Sequence, residues 1–344
     1  LECDAMRTKQ MATCAERTAW VMTTFGAAPI YWCAPMVGAS EPAFRALVRS
    51  LGVTLCTTPM LFPKGLVRNA AYGATHGIPW TAADRPLVVQ FAASVKDGDA
   101  VVDAAKSVRA SADAIEINIG CPQRCARKGN YGAFLLDDAD GLVALVEHCA
   151  ARCCLPVLCK MRVLSTAERT VALARRLQAA GAYCLTVHGR QRRDGGGMKQ
   201  GRTLADWEQI RAVKAALDIP VVSNGNIRHM DDVRACLVAT GADGVMSACG
   251  LLADPALFAR TAGNASGAPC ALSRVELAKR YLDIAAAAEF FPSTTHRHVT
   301  KHLYAMLGGE SAEGSDAGGR ATSCFTSGAV RRLRDHRDLK AELL

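Results

Sequence analysis

One cysteine of this chain, Cys121, stands directly after a segment with the pattern of a buried strand. In Ala114–Ile119 three isoleucines alternate with Glu116 and Asn118, and the run stops at Gly120, where a strand would pass into a loop. A thiol at such a point is held by a rigid scaffold and stays open to a ligand, so Cys121 is a candidate catalytic residue. The alternative is a small buried hydrophobe, because the chain contains fifteen cysteines and most buried cysteines serve that purpose.

Polar residues recur in the same way at the ends of other apolar segments. They are Gln90, Lys160, Arg162, His188, Arg190, Asn224 and Asn226, with Gly225 between the two asparagines. Buried strands rarely contain such side chains unless they serve a site or a salt bridge, so their joint appearance predicts one functional rim. Lys160 and Arg162 could instead be the cationic members of salt bridges at that rim, and the segment 224–226 could be an ordinary turn.

Some of these side chains fit the edges of a phosphate-bearing flavin. In barrels of parallel strands the loops after strands seven and eight commonly bind phosphate, and the segment 224–226 is the first of them. Lys160 would place a cation beside the pyrimidine edge of a flavin, and Gln90 could hydrogen-bond the same edge. Both could instead belong to a buried polar network. The glycine-rich, cationic segment 190–202 is either an active-site loop that touches a phosphate backbone or a solvated insertion.

Apolar runs bounded by loop residues recur eight times from residue 30 onward. They predict strands at 30–36, 55–60, 87–93, 114–119, 156–163, 183–187, 220–223 and 244–248, with helices at 41–51, 99–110, 138–150, 166–180, 204–216 and 231–239 between them. This alternation predicts an α/β fold, a closed (β/α)8 TIM barrel of about 250 residues whose strand ends share one rim. The competing open doubly wound sheet lacks its glycine fingerprint after the first strand.

The rest of the chain is divided by its composition. Residues 1–27 are expected to form a poorly ordered extension, residues 28–262 the barrel, and residues 263–344 a small all-α C-terminal domain with a flexible segment near 308–323. Helices are predicted at 273–289, 295–307 and 330–343. Three histidines of the second of these helices, His296, His298 and His302, are expected to face solvent or RNA, because no fourth ligand completes a metal site.

Bulk composition favours some classes of protein over others. No apolar run approaches the roughly 20 residues of a membrane span, so a membrane role is not expected. The net charge of +9 over 344 residues favours a polyanionic partner. The odd number of scattered cysteines, without a C-x-x-C pair, argues against a disulfide framework and a structural zinc site and favours a reducing compartment. The first thirty residues lack the pattern of a signal peptide. Because the chain begins without Met, its true N-terminus is expected to be missing.

The motifs at the strand ends resemble those of the tRNA-dihydrouridine synthase family. In the family's order they are APMVGAS at 34–40, TPM at 58–60, NIGCPQ at 118–123 with YGA at 131–133, CKMR at 159–162, TVHG at 186–189, SNGN at 223–226 and GVMSA at 244–248. The resemblance covers roughly residues 30–262. The Gly-Cys-Pro-Gln form and the Asn-Gly-Asn turn are most similar to the eukaryotic type that acts on D-loop uridines 16 and 17.

This resemblance implies an FMN-containing barrel that cradles tRNA with its helical domain and reduces a D-loop uridine at the expense of NADPH or NADH. The residues implied to contact FMN are Pro35, Met36, Val37, Gln90, Lys160, His188, Asn224, Gly225, Asn226, Ala248 and Cys249. The residues implied to face the substrate are Asn118, Arg162 and Arg190. Cys121 is implied to protonate C5 of uracil after reduced FMN gives a hydride to C6, and a reference thiol pKa of about 8.5 suits such an acid. A monomer in the cytoplasm or the nucleus is expected.

Two positions depart from the family pattern, and two other functions stay open. Gln191 follows His-Gly-Arg where the family usually has Thr, and Cys249 stands where many members place Arg against the FMN phosphate. One alternative function is an FMN-dependent barrel oxidoreductase that acts on a free pyrimidine or another small molecule. The other is a non-catalytic tRNA-binding protein.

Overall fold

A computed structural model describes residues 12–192, 203–259, 272–287 and 294–307 of the chain. Eight strands lie parallel, each hydrogen-bonded to the next, and the eighth closes on the first. They are β1 (Ile30–Cys33), β2 (Leu55–Thr57), β3 (Leu87–Phe91), β4 (Ala114–Ile119), β5 (Val157–Arg162), β6 (Leu185–His188), β7 (Val221–Asn224) and β8 (Gly244–Ser247). The predicted (β/α)8 barrel and its eight strands are confirmed, with strand ends that differ by a few residues.

The two faces of each strand have different neighbours. On β4, Ile115 and Ile117 are fully buried in the large core between the strands and the helices, whereas Ala114 belongs to the apolar cluster inside the barrel. Glu116 and Asn118 share the face of Ala114, because successive side chains of a strand point to opposite sides. The polar residues of this strand therefore point into the barrel.

The barrel interior changes from apolar to polar toward the C-terminal strand ends. On β3, β4 and β5 the interior positions begin with Val88, Ala114 and Leu158, which belong to one buried apolar cluster. Two residues further along the same strands the interior positions are Gln90, Glu116 and Lys160. A polar layer therefore lies on a closed apolar core, at the depth where strand-end chemistry is expected.

The helices between the strands follow the predicted order. The described helices are α1 (Cys14–Phe25), α2 (Pro42–Arg49), α3 (Pro63–Arg68), α4 (Ala70–Thr75), α5 (Gly98–Val108), α6 (Arg124–Lys128), α7 (Ala139–Arg152), α8 (Ala167–Ala179), α9 (Trp207–Ala216), α10 (Met230–Thr240), α11 (Cys249–Ala253), α12 (Arg274–Ala286) and α13 (His296–Leu307). Helices α7 and α8 begin after Asp138 and Thr166, whose side chains accept backbone N–H bonds of the first turn. These caps fix where the loops end and the helices begin.

The N-terminal segment corrects one expectation. Residues 12–27 are not poorly ordered, because helix α1 occupies most of them and begins with a capping box. Val21 and Phe25 of this helix are buried in the apolar cluster inside the barrel, and the Phe25 ring lies 6.0 Å from that of Trp32. The helix therefore covers the N-terminal end of the barrel, and this burial is what orders it.

Helices α12 and α13 agree with the predicted helical C-terminal region, but one of its histidines is not where it was expected. His302 is fully buried, and its ring stacks on Phe44 at a centroid distance of 4.3 Å. Its Nε2 lies 3.0 Å from Glu41, which also accepts a hydrogen bond of 2.7 Å from Tyr281 Oη. The prediction of a solvent-facing histidine is therefore wrong for His302, which lies on the face of α13 that packs on the barrel. The predicted flexible segment and last helix lie outside the described residues.

Candidate active site

Hydrogen bonds join the polar layer of the barrel across strands. Lys160 Nζ on β5 donates to Asn224 Oδ1 on β7 at 2.9 Å, and Asn224 Nδ2 donates to the Met246 carbonyl of β8 at 2.8 Å. Burial lowers the pKa of Lys160 to about 8, although the carboxyl group of Glu116 opposes the shift. Lys160 is therefore a positioned cation that can stabilise negative charge at the rim.

Three side chains of β3 and β4 form a directed chain of hydrogen bonds that ends at the cysteine loop. The N–H groups of Gly120 and Cys121 each donate to Asn118 Oδ1 at 2.9 Å. Asn118 Nδ2 donates to Gln90 Oε1 at 2.8 Å, and Gln90 Nε2 donates to Glu116 Oε2 at 2.6 Å. The chain runs from the Cys121 backbone into the barrel and so holds the end of β4 in one conformation.

The Cys121 thiol lies half-buried at this strand end. It packs beside the small apolar cluster that contains Ala126 and Tyr131, and burial raises its pKa. The loop folds back over it, because Ala133 N–H donates to the Cys121 carbonyl at 2.9 Å. Gly132 has a φ of 66°, and a Cβ there would stand 2.6 Å from the same carbonyl oxygen. Position 132 therefore requires glycine. Because burial raises its pKa, the Cys121 thiol stays protonated at neutral pH.

Two arginines form the cationic side of the rim, and a neutral histidine lies beside them. Arg162 Nε donates to the Gly120 carbonyl at 2.6 Å, and burial together with Arg190 lowers the Arg162 pKa to about 10. Arg190 Nη1 lies 3.2 Å from His188 Nε2. Because a guanidinium group only donates, His188 Nε2 accepts this bond. Burial and then Lys160, Arg162 and Arg190 hold the pKa of His188 well below its ordinary value, so the ring is neutral.

The turn after β7 is fixed beside Arg190. Gly225 and Asn226 have φ values of 116° and 62°, both in the left-handed region. Arg190 Nη2 donates to Asn226 Oδ1 at 2.5 Å, and Trp207 Nε1 donates to the Gly225 carbonyl at 3.3 Å. A Cβ at position 225 would approach the Cβ of Ala205 to 2.8 Å. Only glycine therefore fits at position 225, and the turn presents its backbone next to a guanidinium group.

The structure gathers most of the predicted site residues at one rim. Those joined there by hydrogen bonds are Gln90, Asn118, Cys121, Lys160, Arg162, His188, Arg190, Asn224, Gly225 and Asn226. Pro35, Met36 and Ala248 are half-buried at the ends of β1 and β8. Val37 is 65% exposed, and Cys249 is also exposed. Residues 193–202 of the predicted cationic loop lie outside the described part of the chain.

Glu116 is the functional candidate that sequence reasoning did not identify. It is fully buried inside the barrel, and burial raises its pKa to about 7 against the opposing effects of Lys160 and Gln90. A signal for it was present, since Glu116 shares a strand face with Asn118. Alternation alone could not show that this face lies inside a barrel.

The groups at the rim fit FMN. On one side lie the Lys160 cation and the Gln90 amide, which suit the pyrimidine edge of a flavin. On the other lie Arg190 and the turn at Asn226, which suit a phosphate.

In the described ranges no group of three or more His, Cys, Asp and Glu could hold a metal ion. None of the helices described is both long and apolar enough to cross a bilayer.

Comparison with known proteins gives consistent matches. A family model described as Dihydrouridine synthase (Dus) matches residues 32–317. A tRNA-dihydrouridine(16/17) synthase-like protein of Rattus norvegicus is 44% identical over 252 residues, which are 73% of this chain and 54% of that protein. The tRNA-dihydrouridine(16/17) synthase of Saccharomyces cerevisiae is 40% identical, over 65% of this chain and 53% of its own length. A tRNA-dihydrouridine(20a/20b) synthase-like protein of Mus musculus is 38% identical, over 66% and 68%. The chain thus spans about half the length of the first two relatives.

Proposed function

The chain belongs to the dihydrouridine synthase family, and from that premise we propose that it reduces the C5–C6 double bond of a uridine in tRNA. The observation that carries the proposal is the half-buried Cys121, whose pKa is raised by burial and whose backbone N–H donates to the Asn118 amide oxygen at the rim that also presents Lys160. FMN would be the resident cofactor. NADPH or NADH would be the reductant, since the names of the rat and yeast relatives include NAD(P)(+).

The rim residues would hold FMN and prepare its surroundings. Lys160 would donate a hydrogen bond to its pyrimidine edge, Gln90 would hydrogen-bond the same edge, and the lysine charge would stabilise negative charge there. The turn at Asn226 would hold its phosphate. The further residues that would contact the cofactor are Pro35, Met36, Val37, His188, Asn224, Gly225, Ala248 and Cys249. When bound and reduced, FMN supplies the hydride that C6 of uracil receives.

Cys121 would supply the proton that completes the reduction. The thiol S–H bond breaks as a C–H bond forms at C5, and the resulting thiolate regains a proton from water. A raised pKa suits this role, because the group must stay protonated until it acts. Asn118 and Arg162 would position the uracil ring beside the thiol, since both are tied to the backbone of the Cys121 loop.

The substrate would be tRNA, bound by its phosphates to basic groups around the rim. A uridine must leave its stack to reach the barrel interior, and Arg162 and Arg190 would meet it there. A rat relative at 44% and a yeast relative at 40% identity are named for positions 16 and 17, and these positions are the proposed target. We further propose that the protein acts as a monomer in the cytoplasm or the nucleus.

Two matched cysteine variants test the function. Unmodified tRNA is incubated with the full chain, FMN and NADPH or NADH, and dihydrouridine is measured. Cys121→Ala should keep its yellow FMN. Its rate of dihydrouridine formation should fall at least about a hundredfold, because general acid catalysis contributes a factor of that size or more. Cys125→Ala removes an exposed thiol four residues away and should act like wild type.

Other outcomes of this assay favour other functions. Full activity in Cys121→Ala would refute the proposed acid. Turnover of free uridine that does not respond to salt would indicate a small-molecule reductase, because phosphate-dependent tRNA binding weakens steeply with salt. tRNA binding without flavin absorbance would indicate a non-catalytic protein.

A further inference from the structure

A buried carboxyl group lies beneath the proposed flavin site and has no part in the function described so far. Glu116 Oε2 accepts the Gln90 bond of 2.6 Å, whereas its buried Oε1 has no hydrogen-bond partner among the described residues. Burying a carboxylate with one bare oxygen is costly. The presence of Glu116 inside the barrel is therefore not explained by stability.

The neighbouring amides can face only one way while Glu116 is ionised. A carboxylate only accepts hydrogen bonds, so Gln90 must turn its Nε2 toward Glu116 and its Oε1 outward to Asn118. Asn118 then turns its Oδ1 to the N–H of Cys121, which can only donate. Rotation of either amide would place donor against donor or acceptor against acceptor. The carboxylate and the backbone N–H thus define the two ends of one directed chain.

Glu116 affects the rim through this chain of hydrogen bonds and not through a direct ion pair. Among the described residues, the titratable groups that act on Glu116 are Lys160 and Cys159 on β5 and Cys184 on β6. Burial raises the pKa of both thiols well above the ordinary value, so they are uncharged. Lys160 donates its hydrogen bond to β7 rather than to Glu116. Gln90 on β3 is neutral and makes the direct contact.

We propose that Glu116 is a positioning residue whose ionised carboxyl group helps to fix the direction of the Gln90 and Asn118 amides. It thereby determines which amide atoms, donors or acceptors, face FMN and the Cys121 loop. This inference rests on the proposed function. A protonated carboxyl group both donates and accepts, so only the backbone N–H groups of Gly120 and Cys121 then still favour one direction, and the two amides are held less firmly. Since the pKa of Glu116 is about 7, FMN binding should weaken as the pH falls through that value.

The dissociation constant of FMN from the full chain, followed by flavin fluorescence from about pH 6 to about pH 9, tests the inference. Glu116→Gln keeps the shape of the side chain but removes the acceptor-only group. We expect it to bind FMN about tenfold more weakly than wild type at about pH 8, with no step near neutrality. The FMN phosphate ionises equally in both proteins, and protonation of Lys160, whose pKa is about 8, would strengthen FMN binding as the pH falls. Weaker binding as the pH falls through about 7 therefore reports Glu116.

A matched control separates this effect from the loss of any buried carboxylate. Asp243→Asn neutralises a half-buried carboxyl group that is bonded to Lys214 and directly precedes β8, at the end of the barrel opposite the rim. It should bind FMN with the affinity and pH dependence of wild type. Equal affinity and equal pH dependence in Glu116→Gln and wild type would overturn the inference and leave the proposed function standing.

Two further outcomes are decisive. If wild type itself binds no FMN, the proposed function fails and the inference fails with it. If Glu116→Gln does not fold, the wild-type protein with FMN still provides a test by infrared spectroscopy. The C=O band of a protonated, buried carboxyl group should grow as the pH falls from about 8 to about 6, and absence of that band would overturn the inference.

Discussion

Two cysteines four residues apart show what the residue scale adds to the sequence. Cys121 is half-buried with its backbone N–H bound by Asn118, whereas Cys125 is exposed on α6. The position of Cys121 at a strand end was readable from the sequence, because the ends of parallel strands share one rim. The burial and pairing of Glu116 were not readable, because alternation does not reveal whether the second face of a strand meets water or the inside of a barrel.

The pKa of Glu116 predicts a pH-dependent difference in stability. Burial raises this pKa to about 7 in the folded chain, against about 4.3 when unfolded, so the folded state holds the proton more tightly. The stability that protonated Glu116 contributes to the folded chain is therefore present below the unfolded pKa and is lost as the pH rises through about 7. The stability of Glu116→Gln relative to wild type should increase between about pH 5 and about pH 8, by at most about 3 kcal/mol. Thermal melts at both pH values measure it, and a constant difference would contradict the predicted ionisation.

At the scale of elements, periodic segments were predictable and short or context-dependent ones were not. The strands could be found because apolar runs and loop residues alternate at regular spacing. Helices α3, α4, α6 and α11 are each a single turn or little more, too short to show a 3.6-residue period. Helix α1 was missed because its order depends on the barrel end that it covers, which the local sequence does not contain.

Helix α1 should contribute substantially to stability. Phe25→Ala removes a fully buried ring from the cluster inside the barrel and should lower the free energy of unfolding by about 3 kcal/mol. Thr23→Ala changes an exposed residue of the same helix and should stay within about 0.5 kcal/mol of wild type. Denaturant unfolding measures both values. Equal stability of the two variants would show that the helix does not pack on the barrel as described.

At the scale of the whole molecule, a buried carboxyl group links both helices of the described C-terminal region to the barrel, beside their apolar packing on its core. Glu41 accepts hydrogen bonds from Tyr281, 240 residues away, and contacts His302, 261 residues away. Such separations explain why the sequence did not show this contact. The two helices were predictable from their own periodicity, but the pairing of their buried polar groups with Glu41 was not.

This junction predicts sensitivity to acid. Burial raises the pKa of Glu41, but His302 and the hydrogen bonds from His302 and Tyr281 outweigh it and hold the pKa at about 2. The contribution of the ionised group is present above its unfolded pKa of about 4.3 and is lost as the pH falls toward 2. Glu41→Gln should therefore cost about 3 kcal/mol of unfolding free energy near neutral pH and less in acid. A cost that does not change with pH would contradict the ionised contact.

The most direct test of the account is a map of dihydrouridine in tRNA from cells that lack this protein. The proposed function predicts that dihydrouridine disappears at D-loop positions 16 and 17, and that it returns with the wild-type protein but not with Cys121→Ala. Loss at 20a and 20b instead would correct the target position while preserving the reaction. Dihydrouridine that is unchanged at every position would contradict the central claim that this rim reduces uridine in tRNA.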